Sequence, residues 1–134
     1  MGDDRAKQDF GCERCGPSSA DAAWKARRAL TTAHELIDKS HFYVAILACT
    51  RCTQRFVFVW TEMIDWQDGD DPQYSTLLPI TEAEAVDLVE QRDSLTETKL
   101  NVLGRDRRCL RRDHPKGAVP RIFWGTGIFV GPHD

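Results

Sequence analysis

Cys12 and Cys15 are separated by two residues, and so are Cys49 and Cys52. No other feature restricts the fold as strongly. A Cys-x-x-Cys turn reverses the backbone and aims two sulfurs at one point, so two such turns can supply four soft ligands to one tetrahedral ion. The 33 residues between the pairs must then leave the first turn and return to it. Zinc is the default ion for four thiolates. An ion held this way keeps no open coordination position, so its role is structural. Iron in the same shell, two redox-active pairs, or four cysteines that never meet are the alternatives. Arg14 and Arg51 stand inside the two turns and ease the charge of a four-thiolate centre. The fifth cysteine, Cys109, lies among Arg107, Arg108, Arg111 and Arg112. Those neighbours favour a reactive thiolate, but free cysteine is most often a small buried residue, and that is the expectation here.

Over residues 11–60 the two turns resemble the double knuckle of zinc-ribbon and rubredoxin-like proteins. The resemblance rests on Cys12-Glu13-Arg14-Cys15-Gly16 and on Cys49-Thr50-Arg51-Cys52 between two apolar runs. The chain departs from that pattern in two places. The gap of 33 residues exceeds the usual spacing of about 15–20. Thr53 also stands where glycine often serves a left-handed backbone.

The runs beside the second turn, His41 to Ala48 and Gln54 to Thr61, are rich in aromatic and β-branched residues and predict a hairpin with the cysteines at its tip. Ala23, Ala26, Leu30, Ala33 and Ile37 step by three and four, which predicts a helix over 20–38. Thr81 followed by Glu84 is a capping box opening a helix over 82–92, with Ala83, Val86 and Val89 or Leu88 inward. Residues 64–74 read as a loop and 77–80 as an extended segment. Residues 94–103 fit either a second capped helix or a strand. Two short strands are expected at 121–124 and 127–130. The fold class is therefore α+β, a mainly antiparallel sheet with two helices and a four-cysteine site. A chain of 134 residues suits a single domain, with residues 1–11 as a flexible arm.

Charge is unevenly spread. Residues 1–59 carry nine Lys/Arg against seven Asp/Glu, residues 60–98 one against eleven, and residues 99–134 eight against three. The acidic stretch interleaves carboxylates with aromatics at Asp65, Trp66, Asp68, Asp70, Asp71 and Tyr74, the make-up of a protein-binding surface aimed at a basic partner. Bacterial immunity proteins, which neutralise a toxin, are similar in size, in acidity and in such a surface. The basic stretch, Arg105, Arg107, Arg108, Arg111 and Arg112, offers a second reading as a nucleic-acid-binding zinc ribbon. A third reading is an enzyme using His114 and His133, each beside an aspartate. No nucleophile motif, His-Glu-x-x-His or glycine-rich phosphate loop accompanies them, so no enzymatic activity is expected. The polar, acidic N-terminus and the absence of a long apolar run predict a cytoplasmic protein with no membrane partner.

Overall fold

A computed structural model describes residues 10–134. Six strands form one antiparallel sheet in sequence order: β1 Thr31–Lys39, β2 Phe42–Ala48, β3 Arg55–Glu62, β4 Gln73–Ile80, β5 Arg108–His114 and β6 Arg121–Thr126. Each strand pairs with the next, so every connection joins neighbours. Helix α1, Ala20–Ala26, precedes the sheet, while α2, Glu82–Glu90, and α3, Glu97–Val102, lie in the connection from β4 to β5. The α+β class holds, with three α-helices among the described residues instead of two. The arm expected at 1–11 lies outside the described residues except for Phe10 and Gly11.

The period-two alternation of the strands divides the apolar residues between two faces. One face carries Val44, Ile46, Val57, Val59, Leu78, Ile80 and Cys109, and packs against Ala85 and Leu88 of α2, Leu100 of α3 and Ile128 beyond β6. We call this the helical face. The other carries Phe56, Leu77 and Leu110, with Leu47, Phe58, Ile122 and Trp124 at their margin, and packs against Ala23 of α1 and against Cys15 and Cys49. We call this the knuckle face. Apolar side chains on successive positions of β2 and β3 therefore follow from burial on both sides.

The predicted helix over 20–38 is corrected. It ends at Ala26, runs through a 3-10 turn Arg27–Ala29, and gives way to edge strand β1. Two register shifts in β1 leave Ala33 and Leu36 without partners on β2. Each extra residue breaks the period of two. The resulting spacing of apolar residues imitates that of a helix.

Thr81 does cap α2: its hydroxyl accepts from the Glu84 N–H at 3.1 Å, and the Glu84 carboxylate accepts from the Thr81 N–H at 2.8 Å. The buried face of α2 is Ala85 and Leu88, while Ala83 is exposed and Val86 is 53% exposed. The ambiguous stretch resolves as α3, capped by Thr96, whose hydroxyl accepts from the Lys99 N–H at 3.2 Å. The expected strand at 121–124 extends to Thr126, whereas 127–130 crosses the helical face without joining the sheet. There Thr76 donates to the Phe129 carbonyl at 3.2 Å.

Truncating a fully packed side chain leaves a cavity as well as losing transfer energy. Leu88→Ala should therefore cost about 3 kcal/mol. Val86→Ala should stay within about 0.5 kcal/mol. Urea unfolding of the two variants checks which face of α2 is buried.

Candidate metal centre

The four cysteines expected to meet do meet. Their sulfurs all lie within 4.8 Å of one another. Cys12 Sγ is 3.8 Å from Cys15 Sγ and 3.9 Å from Cys49 Sγ, and Cys15 Sγ is 3.7 Å from Cys52 Sγ. Four sulfurs about 2.3 Å from a common centre form a tetrahedron with edges of about 3.8 Å. The cluster thus has the dimensions of a tetrahedral thiolate shell, and no disulfide joins any pair. Cys15 and Cys49 are buried, Cys12 and Cys52 half-buried.

Each knuckle closes on its own backbone. The Gly16 N–H donates to the Cys12 carbonyl at 2.8 Å, and the Thr53 N–H donates to the Cys49 carbonyl at 3.0 Å. N–H groups also point at sulfur: Cys12 N–H to Cys15 Sγ at 3.3 Å and Arg51 N–H to Cys49 Sγ at 3.4 Å. Thr53 does occupy the left-handed region anticipated for a glycine, at φ 67°. Its hydroxyl donates to the Cys52 carbonyl, a local bond that offsets part of the strain. Gly11 has φ 78°, and a Cβ there would stand 2.8 Å from Cys15 Sγ, so the chain can pass the cluster only as glycine.

The link between the knuckles was not legible in the sequence. Gln54 accepts from the Gly11 N–H at 2.9 Å through Oε1, and donates through Nε2 to the carbonyls of Ile80 at 2.8 Å and Arg55 at 2.7 Å. One amide thereby joins the first knuckle, the second knuckle and β4. A lone glutamine carries no sequence signal for such a role.

Proton affinities within the cluster are split. Backbone donation from Cys15 brings the Cys12 thiol down to about 6. Burial pushes Cys15 well above the ordinary thiol range. Burial also raises Cys52. At Cys49 burial acts upward but is outweighed by the N–H groups of Cys52 and Arg51, and the net shift is downward. Four close sulfurs cannot all ionise without a cation among them, which is the electrostatic condition that a divalent ion satisfies.

Cys109 is fully buried, and its S–H donates to the Gly127 carbonyl at 2.7 Å. Burial raises it to about 11, so it is a packing residue despite the arginines around it. Those arginines point to opposite faces and are not one patch. Arg107 pairs with Glu84 at 2.9 Å and caps the Pro79 carbonyl at 2.9 Å. Arg111 pairs with Asp113 at 2.8 Å and stacks on Phe129 at 4.4 Å. Arg105 is exposed. Arg108 and Arg112 project to the knuckle face.

The acidic loop is folded around its own carboxylates. Asp65 accepts from the backbone N–H groups of Gln67, Asp68 and Asp70, each at 3.2 Å, and pairs with Lys116 at 3.0 Å. Asp71 accepts from the Asp65 N–H at 2.7 Å, and Asp70 from the Gly117 N–H at 2.6 Å. Asp68 also reaches Lys116, at 3.0 Å. Tyr74 belongs to β4 and packs edge-on against Phe129, with ring centroids 5.5 Å apart. Trp66 is thrown outward, at 87% exposure, and the Asp68 side chain is exposed as well.

The two candidate histidines are not brought together. His133 stacks on Phe42 at 4.6 Å and contacts Glu97 at 2.8 Å on the helical face, whereas His114 belongs to the alternation of Leu110 and Arg112 on the knuckle face. Among the described residues no helix is long and apolar enough to cross a membrane. Comparison of the chain with known protein families, with curated proteins and with solved structures finds no match.

Two outcomes follow from this geometry. Gly11→Ala should lower both metal retention and thermal stability, because its Cβ displaces Cys15; inductively coupled plasma mass spectrometry and a melting curve check this. Separately, the Lys116 contact and then the backbone donors hold the Asp65 carboxyl down at about 2. A depressed carboxylate stabilises the fold above its ordinary value near 4 and loses that contribution as pH falls from about 4 through 2. An acid titration of Trp66 fluorescence should show this step, and Asp65→Asn should remove it.

Proposed function

We propose that the protein is a small zinc-binding protein in which the ion is structural, and that it works by binding a partner and not by catalysis. The close approach of the four sulfurs, with three of the six distances between them at 3.7 to 3.9 Å and all within 4.8 Å, carries this reading. Cys12, Cys15, Cys49 and Cys52 fill the shell of a zinc ion, leaving no position for substrate. Zinc fits the all-thiolate donor set at this size, and it adds no redox chemistry. Its role is to fasten α1 and the N-terminal knuckle to the β2–β3 hairpin.

A protein partner at the acidic loop is supported by one observation, the exposure of Trp66. A tryptophan at 87% exposure is unusual for a side chain of its size, and exposed tryptophans are frequent interface anchors. Asp68, whose side chain is 64% exposed, supplies a charged rim. Asp65, Asp70 and Asp71 serve in this reading to hold the loop in shape, and Tyr74 lies behind it. The immunity-protein analogy gains no support from the comparisons and is not needed for the reading.

Purified protein should carry about one zinc per chain, and Cys49→Ser should abolish that content and loosen the N-terminal third. Retention of a full metal complement by Cys49→Ser would sink the zinc assignment. Trp66→Ala should keep its zinc yet lose a protein partner captured from cell extract. Equal capture by both proteins would exclude the loop as the binding surface.

A further inference from the structure

The knuckle face is only partly covered. Among the described residues, α1 lies over β5 and β6, and the cysteine knuckles lie over one end. The strand register sets two rows of side chains across the face. One row is Ala45, Phe58, Leu77, Leu110 and Trp124; the next, farther from the knuckles, is Tyr43, Trp60, Ser75, Arg112 and Ile122. Phe58, Ile122 and Trp124 pack at the margin of the apolar cluster, while Tyr43, Trp60 and Arg112 lie beyond it and are half-buried. A sheet face that carries aromatic and basic groups beyond its apolar cluster has more than a core requires.

The α1 segment adds to it. Its 3-10 extension delivers Arg27 and Arg28, and the Arg27 guanidinium lies 3.8 Å from the centroid of the Trp24 ring. Arg112, from β5, lies over the same ring at 5.8 Å, and Arg108 lies over Trp124 at 3.9 Å. Two elements remote in sequence thus bring arginines together. Burial, then repulsion from Arg28 and Arg112, lowers the Arg27 proton affinity, and the buried Arg27 Nε has no hydrogen-bond partner. Among the described residues none of Arg27, Arg28, Arg108 and Arg112 has a carboxylate partner. Of the carboxylates beside the platform, Glu35 accepts from Tyr43 at 2.6 Å, Glu62 contacts His41 at 3.3 Å and Gln73 at 2.9 Å, and Asp38 lies opposite Tyr43 on the edge strand.

We propose that this face, with Arg27, Arg28, Arg108 and Arg112 beside Tyr43, Trp60 and Trp124, binds single-stranded nucleic acid. Unpaired like charges held at a surface call for an anion. Flat aromatic and guanidinium groups on the same surface suit bases, which stack on both. A duplex would present its bases edge-on and leave the rings unused. The face is distinct from the Trp66 loop, and the inference stands or falls independently of that loop and of the metal assignment.

The test uses the full chain and fluorescein-labelled twelve-nucleotide dT and U strands, read by anisotropy, with tryptophan quenching as a second signal. Single strands give a salt slope of about −0.7 per phosphate neutralised. Three phosphates therefore imply about twentyfold weaker binding at 200 mM than at 50 mM salt. Arg28→Glu and Arg112→Ala should each weaken binding and flatten that slope. Trp60→Leu should weaken it without altering the slope, and Trp66→Phe should leave both affinity and quenching unchanged. Undetectable binding at 50 mM salt would overturn the proposal. Duplex binding as tight as single-strand binding without quenching would overturn it too. So would a preference for polyglutamate over both strands, which would mark the face as a site for an acidic protein. Because each variant is checked by circular dichroism and a melting curve, a folding failure is separable from a binding failure.

Discussion

Four sulfurs held within 4.8 Å of one another set the condition that the N-terminal part of this chain must satisfy. Thiolates at that separation repel strongly, and thiols gain little from one another. A cation bound among them would neutralise that repulsion. It would then act as a cross-link between segments 33 residues apart. Closure of such a loop costs only slowly more entropy as it lengthens, which is why an α-helix and a strand can be accommodated between the knuckles. Gln54 extends the same junction by hydrogen bonds to Gly11 and to the Ile80 carbonyl, so the metal knuckles are tied to the middle of the sheet and not only to the hairpin that bears one of them.

From that junction the two faces diverge. On the helical face α2, α3 and the segment after β6 bury a continuous cluster from Leu36 to Ile128. On the knuckle face a helix of seven residues and the cysteine turns cover a smaller cluster. A metal ion in the cluster would substitute there for apolar area that the short α1 cannot supply. Covering this face with a longer helix would have hidden Tyr43, Trp60 and Arg112. Stapling it at one end leaves them accessible.

The parts of the fold read correctly from sequence are those in which one local rule decided the outcome. The Cys-x-x-Cys turns, the hairpin between them and the Thr81–Glu84 capping box are of this kind. The failures have a common physical form, in which tertiary placement overrode local periodicity. In β1 the extra residues Ala33 and Leu36 shifted the apolar pattern out of period two. In β5 the alternation is Arg108, Leu110 and Arg112 against Cys109, Arg111 and Asp113, with arginine on both sides. A sequence rule scores arginine as solvated. In this strand Arg108 and Arg111 are instead laid on aromatic rings, and their apolar stems cover the sheet. The meeting of the four cysteines was legible because thiol chemistry is specific. Their support through Gln54 was not, because an amide has no unique role.

The segregation of charge along the chain has the same two-sided resolution. Part of the acidic and basic surplus is cancelled internally, by Lys116 with Asp65 and Asp68 and by Arg107 with Glu84. These contacts join the loop before β4, the turn after β5 and the start of α2, so they fix connections that the sheet alone would leave loose. What they do not reach is the knuckle face. A net charge of −3 is therefore a poor guide to this surface, because ligands respond to the local field and not to the total. The residual positive charge is concentrated where the fold also leaves aromatic rings uncovered. Trp24 of α1 and Trp124 of β6 pack at the margin of the knuckle-face cluster, and Trp124 donates to the Ser18 carbonyl at 2.8 Å, whereas Trp60 lies one row beyond the cluster. A ligand carrying both negative charge and flat apolar surface would match that combination of groups.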